Sequence, residues 1–589
     1  MKTMTKDLVD FATGTQKSDL VLKSANLVNV CSAEIYETDI AIAAGIIVGL
    51  GRYEGRKEID ARDTYAVPGL IDGHTHIEMS MLSVREFAKA VVPRGTTAVV
   101  ADPHEIANVL GVAGIRAIVG EATPLKVFCM TPSCVPSTTP SLGLETPGAC
   151  IGAEEIRELL PMRGITGLAE VMNYGGVLAK EEEIWNKIEI AKALQAPIDG
   201  HAPLLSGNEL NAYVLSGVGS DHECVSYTEA REKLRLGMRV MIREGSAAKN
   251  VNKIAPLLQS TDTRNCMLVT DGDRTPLDLH NEGYLDHVLR RAIEEGIDPI
   301  KAVQMCTINP SQWFKLDNLI GSISPGKIAD IVLLKSLERF DVETVMVNGT
   351  ILTDFAPPSD NPRTYPEYGK SVRIKRVRAK DFAIELERAR KARVIGLIDG
   401  ELLTEELVVE IRGIDPTRDI AKIGVVERHH CSGTIGLGFV KGFGVKDGAV
   451  ASSIAHDTHN IVVIGTNEDD MAFACNRLKE IGGGIVLCRG SKIRSELKLP
   501  IAGLMTDKGL EYVVRKGKEL EETISEMGCT LRAPFISLSF LALPVIPKLK
   551  ITDRGLVDVE KRKIVDVFLS PENGESERSH SVLTTTQHK

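Results

Sequence analysis

The sequence has no Cys-x-x-Cys pair: its 11 cysteines are scattered singly over 589 residues. An odd number without framework spacing implies no disulfide scaffold and fits a reducing cytoplasm. Excess positive charge is also missing. The formal net charge of −10 argues against the basic face of a nucleic-acid binder and favours a small neutral or mildly polar substrate. No apolar run approaches the ~20 residues needed to cross a bilayer. The most apolar stretch, Pro534 to Pro547, is short and bounded by proline, and reads as a buried strand or loop. Met1 to Asp19 is polar and charged, unlike a secretory signal. The Pro-Cys-x-x-Cys zinc motif of deaminases that act on nucleic acids is absent as well. Gly436-x-Gly438 and Gly482-Gly483-Gly484 lack both the P-loop lysine and the Rossmann spacing, and read as turns.

What is present points to an ordinary globular chain, 43% hydrophobic and 25% charged, long enough for two or three domains. From Asp19 to Ala66, short strand-like runs alternate with turn residues, and the pattern returns between Gly321 and Ile351. One small β-sandwich domain built from both flanks is expected, over 1–66 and 321–354. Between the flanks (67–320), strand-like runs end near His76, Ala101, Met130, Met172, His201, His222, Ile242 and Thr270. Helix-length stretches such as Glu154–Leu160, Glu181–Leu194 and Thr228–Leu236 separate them. Eight βα units predict an α/β fold, a (β/α)8 TIM-like barrel, with an open doubly wound sheet as the alternative. A proline-rich linker is expected at 355–370, a C-terminal α/β domain at 371–569, and a disordered tail at 570–589.

The barrel reading is favoured by the residues at the strand ends. Val67-Pro68-Gly69-Leu70-Ile71-Asp72-Gly73-His74-Thr75-His76 is an apolar run delivering two imidazoles to one face of a strand. Later ends bring Glu170, His201, His222 and Asp271. A lone carboxylate in a buried strand, such as Glu170, is costly unless neutralised, and a metal does that. Imidazole with carboxylate and no thiolate set suits Mn, Fe or Zn. The six residues His74, His76, Glu170, His201, His222 and Asp271 suffice for two divalent ions bridged by Glu170 and a hydroxide.

These stretches, with Thr270-Asp271-Gly272 and Ser324-Pro325-Gly326-Lys327-Ile328-Ala329-Asp330, resemble the amidohydrolase superfamily. Asp102-Pro103-His104-Glu105-Ile106-Ala107-Asn108-Val109, Ser133-Cys134-Val135-Pro136, Gly167 to Met172 and Met241 to Ala248 resemble, more narrowly, its bacterial and archaeal adenine deaminases. The likeness runs from about Asp19 to Val567. It implies hydrolysis of adenine to hypoxanthine and ammonia on a binuclear Mn or Fe site, in a cytoplasmic homodimer. Many superfamily members bridge their metals with a carbamylated lysine, and Glu170 takes that place here. The resemblance makes Asp271 the proton shuttle and Glu105 or His104 the acid for the purine ring, although the latter pair also suits a helix N-terminal turn. Arg243, Glu244, Ser246 and Ser133 are candidates for the purine edge, with Arg243 equally suited to clamping its loop. A different amino-heterocycle or a cyclic amide is the alternative substrate. For His456 and His459, three apart, a further metal, a cover over the barrel mouth and a polar turn all stay open.

Overall fold

The computed structural model describes residues 5–352, 368–385 and 388–569. The expected tail at 570–589 lies outside the described residues, as does the expected linker apart from 368–370. The described chain divides into two compact units, one of residues 5–135, 149–352 and 505–515, the other of 136–148, 368–504 and 516–569. Among the described residues no helix is long and apolar enough to cross a membrane.

In the first unit, eight runs form parallel strands: β1 Leu70–Thr75, β2 Thr96–Ala101, β3 Lys126–Thr131, β4 Ile165–Val171, β5 Ile198–Gly200, β6 Ser220–Asp221, β7 Arg239–Arg243 and β8 Cys266–Val269. Each of the eight expected ends falls within one residue of an observed one. β2, Thr96-Thr97-Ala98-Val99-Val100-Ala101, is buried along its whole length. A run of β-branched and small apolar residues without alternation is what a strand covered on both faces requires. The strands pair as a five-stranded parallel sheet, β5-β4-β3-β2-β1, and a three-stranded parallel sheet, β6-β7-β8. Helices follow the strands, among them Ala153–Leu159, Glu182–Ala193 and Tyr227–Arg235, close to the three expected. Ile71, Ala98, Val100, Met130, Ala169, Met241, Met267 and Val269 pack in one core cluster, so both sheets turn a face toward the same apolar centre. A second cluster, with Leu168, Val171, Ile184, Ile188 and Tyr213, seals the helices onto β4 and β5.

The two flanks of this region knit together. Tyr65–Pro68 pairs antiparallel with Ile331–Leu334 and parallel with the Asn26 to Leu27 part of Ser18–Asn29. Here the structure departs from the expected β-sandwich: pairing joins the flanking strands into one eight-stranded mixed sheet. The cause is the twelve-residue strand Ser18–Asn29, which pairs with three neighbours and slips register between Leu22 and Ala25, where Ser24 sits at φ 54°. One long bulged strand therefore does the work of two separate sheets.

The second unit is built on an eight-stranded sheet running from Thr404–Ile411 at one edge to Lys492–Lys498 at the other. Only the pair Arg390–Leu397 and Ile435–Lys441 is parallel. Helix Glu468–Ile481 packs Met471, Ala474, Cys475 and Leu478 onto it, and Asn467 caps its start by accepting the Asp470 N–H. The apolar stretch expected as a strand or loop instead begins with a helix, Pro534–Phe540. Pro534 occupies the first turn, where its missing N–H costs nothing and its fixed φ favours the helix.

Candidate metal centre

β1 ends in the His74-Thr75-His76 pair, and the i, i+2 spacing carries both imidazoles to one carboxylate. Nε2 of His74 lies 3.1 Å and Nε2 of His76 3.3 Å from Oδ1 of Asp271. Asp271 follows β8, and its N–H donates to the His74 carbonyl at 3.0 Å. Gly272 next to it sits at φ 65°, where a Cβ would lie 2.7 Å from the His76 carbonyl oxygen. Only glycine lets the turn pass so close to the strand.

Glu170, in β4, is the centre of the cluster. Its Oε1 faces His76 Nε2 and His104 Nδ1, both at 3.5 Å. Its Oε2 faces His201 Nδ1 at 2.7 Å and His222 Nε2 at 3.3 Å. Each oxygen thus addresses its own pair of imidazoles, the arrangement a carboxylate needs to bridge two cations. Ser133 donates its hydroxyl to the Glu170 carbonyl at 2.5 Å and fixes this end of β4. His201 and His222 are brought side by side by Asp221, whose Oδ1 accepts the Ala202 N–H while Lys233 donates to Oδ2 at 2.9 Å.

The protonation pattern follows from these contacts. His76 donates Nδ1–H to the Asp102 carbonyl at 2.9 Å, and its Nε2 faces two carboxylates. Burial and the neighbouring His104 work to lower the His76 pKa, and Asp271 and Glu170 outweigh them and raise it to about 9. Burial opposes ionisation of Glu170, but His222 and His201 hold its carboxyl well below the usual range. Burial likewise opposes ionisation of Asp271, and Arg243 and His222 override it. Among the described residues, His222 Nδ1 is buried without a hydrogen-bond partner. Imidazole lone pairs and carboxylates converging in one buried place repel one another unless a cation stands between them. The donor set, nitrogen and oxygen without sulfur, fits a borderline or hard divalent ion.

All six expected metal residues therefore meet in one cluster, together with His104. Its Nδ1 is 3.2 Å from Asp102 Oδ2, and its Nε2 is 3.6 Å from Glu105 Oε1. The candidates for the purine edge fare differently. Arg243 donates to Asp271 Oδ2 at 2.5 Å and to Glu223 Oε2 at 2.7 Å, so its guanidinium is engaged as a clamp. Glu244 accepts the Val251 N–H, and Ser246 accepts the Thr275 N–H, which places both in loop contacts. Two residues escaped the sequence reading. Asp102 directly follows β2, and Glu223 adjoins His222, with its Oε1 3.4 Å from that ring. The signal for both was position: each is a buried or half-buried carboxylate just past a strand end.

Residues 65–352, which include every residue of this cluster, match the model of the amidohydrolase family. Residues 401–563 match that of the adenine deaminase C-terminal domain. Adenine deaminase of Archaeoglobus fulgidus is 51% identical over 95% of this chain and 97% of its own length. The chain belongs to the adenine deaminase family. Adenine deaminases of Thermosipho africanus and Clostridium acetobutylicum, at 44% and 41% identity, cover 96% and 95% of the chain and 99% of their own lengths. As an adenine deaminase family member the chain spans its relatives almost end to end.

Proposed function

We propose that this enzyme hydrolyses adenine to hypoxanthine and ammonia. The observation that carries the reading is the split carboxylate of Glu170, with two imidazoles on each oxygen, in a chain 51% identical to an adenine deaminase. His74, His76 and Asp271 would hold one divalent cation, His201 and His222 the other, with Glu170 shared. Mn and Fe suit this set, and Zn is accommodated by the same donors. Bound there, the two cations supply a water acidic enough to attack near neutral pH.

The chain's own groups then move the protons. Asp271 accepts the proton of the attacking water through Oδ1 and passes it to the amine leaving C6. Arg243 holds the other oxygen and keeps the carboxylate ionised and oriented. The ring nitrogen beside C6 must gain a proton as the carbon becomes tetrahedral. Glu105 and His104 are the groups placed for this, and Asp102 orients the imidazole from Nδ1. Ser133 supports the site from behind Glu170.

The scaffold we infer is a closed (β/α)8 barrel. Its support is a backbone bond at each seam between the two parallel sheets: Asp271 N–H to the His74 carbonyl, and Gly219 N–H to the Ile198 carbonyl at 3.0 Å. Eleven free cysteines support a reducing cytoplasm as its setting.

The test is ammonia release from adenine, adenosine and guanine by protein purified with added manganese and with iron excluded. Adenine alone is expected to react, and a chelator is expected to stop the reaction until manganese is restored. Turnover of adenosine without adenine would overturn the substrate assignment. Ring opening of a hydantoin with no ammonia from adenine would favour the cyclic-amide alternative.

A further inference from the structure

The carboxylate of Asp72 is fully buried and takes no part in the steps above. It lies on β1, two residues before His74. Its Oδ2 accepts the Thr270 hydroxyl at 2.6 Å, and its Oδ1 accepts the N–H groups of Thr270 and His74, both at 3.3 Å. One side chain thus grips the strand that carries both histidines and the residue that introduces the Asp271 turn. Thr270 spends its only hydroxyl proton on the carboxylate, so its lone pairs are left to accept. The Gly272 N–H lies 3.2 Å from them, and the Tyr284 oxygen is 3.1 Å from the Thr270 hydroxyl oxygen. Tyr284 in turn meets the Thr75 hydroxyl at 2.7 Å, closing the network back onto β1.

The turn needs such support. Asp271 sits at φ 58°, a left-handed conformation that L side chains rarely adopt. In that conformation its N–H reaches the His74 carbonyl while its Oδ1 stands against His74 and His76.

We propose that Asp72 is a positioning residue: acting through Thr270, it holds the Asp271 turn left-handed and so aims Oδ1 at the two histidines of β1. The role rests on the metal-site reading above and deepens it. Neither Asp72 nor Thr270 touches the substrate; both set the place from which Asp271 acts.

Thr270→Val removes the hydroxyl and keeps the shape, while Thr270→Ser keeps the hydroxyl. In Thr270→Val we expect kcat for adenine to fall about 100-fold with KM within about threefold, since misplacing a reacting group by a fraction of an ångström costs turnover before binding. Manganese affinity by calorimetry is expected to weaken about tenfold, with Thr270→Ser within about threefold of the parent in both readouts. A purely structural role would lower the melting temperature and leave kcat and manganese affinity where they were, and that result overturns the proposal. Equal damage from Val and Ser overturns it too. Should Thr270→Val not fold, Tyr284→Phe removes one hydroxyl at the far end of the network. It is expected to lower kcat about threefold to tenfold at unchanged KM, and an unchanged kcat counts against the proposal. The manganese readout needs no substrate. A parent protein inactive on adenine, with affinity still lost in Thr270→Val, would refute the substrate and uphold the positioning role.

Discussion

Glu170→Gln changes one oxygen to nitrogen and almost nothing else, which makes it the sharpest perturbation of the site. The parent carboxylate has four imidazole nitrogens between 2.7 and 3.5 Å, two on each oxygen. Glutamine keeps the volume but has one acceptor oxygen and no charge, so it cannot serve both pairs. Removing one partner's charge from a buried ion pair costs about 3–5 kcal/mol. That is about three decades in the affinity of the more weakly held cation.

The assay is metal content after desalting, with calorimetric manganese titration and ammonia release on the same preparation. A cooperative melt close to that of the parent establishes that the variant is folded. We expect no more than one ion retained per chain, and turnover reduced about 1000-fold, in step with the lost metal. Two ions per chain with kcat within about tenfold of the parent would refute the reasoning, because the charge shared between the two imidazole pairs would then be dispensable.

Arg243→Met should lower kcat about 100-fold with a smaller change in KM, and Arg243→Lys should recover only part of it, because one ammonium cannot hold Asp271 and Glu223 in a fixed fork. Steady-state kinetics reads both, and an effect confined to KM would return Arg243 to the purine edge. Gly272→Ala places a Cβ against the His76 backbone at φ 65°, and should cost about 2–4 kcal/mol of stability or an equivalent distortion of the site, seen by calorimetry and by kcat. Lys550, in the second unit, is buried with its ammonium donating to the Leu402 carbonyl, and desolvation lowers its pKa to about 7. Its unfolded pKa is about 10.4, so between these values the unfolded chain binds more protons and stability rises with pH. Lys550→Met should therefore raise the melting temperature most near pH 6 to 7, and the gain should shrink by about pH 10, where the parent amine is already neutral. A gain independent of pH would show that Lys550 is not buried as an ammonium.

The strand ends were legible because buried parallel strands write themselves as uninterrupted apolar runs, and a polar residue closing such a run stands out. That logic located His74, His76, Glu170, His201, His222 and Asp271 together. It failed where a residue's partner lies far along the chain. Arg243 suits the purine edge and a clamp on its loop equally until Glu223 and Asp271 are seen on either side of it. Asp102 carries no role of its own in the sequence until His104 is seen 3.2 Å from its carboxylate. The single eight-stranded flank sheet was hidden for a related reason: the periodicity of Ser18–Asn29 marks a strand, but not the register slip that lets it serve three partners. Pro534–Phe540 misled because an apolar run of seven residues carries no clear period, and Pro534 at its start favours a helix as readily as it breaks a strand.

The carboxylates that the sequence reading missed bear on the number of metal ions. Glu170, Glu223 and Asp271, each held in its ionised form, set three negative charges against the single positive charge of Arg243, so the buried site attracts divalent cations. Removing the carboxylate of Glu223 should therefore favour loss of one cation, although Glu223 is no member of the six-residue set. The burial of Glu223 beside His201, His222 and Arg243, which together hold its carboxyl down at about 2, keeps that charge in place across the working pH range.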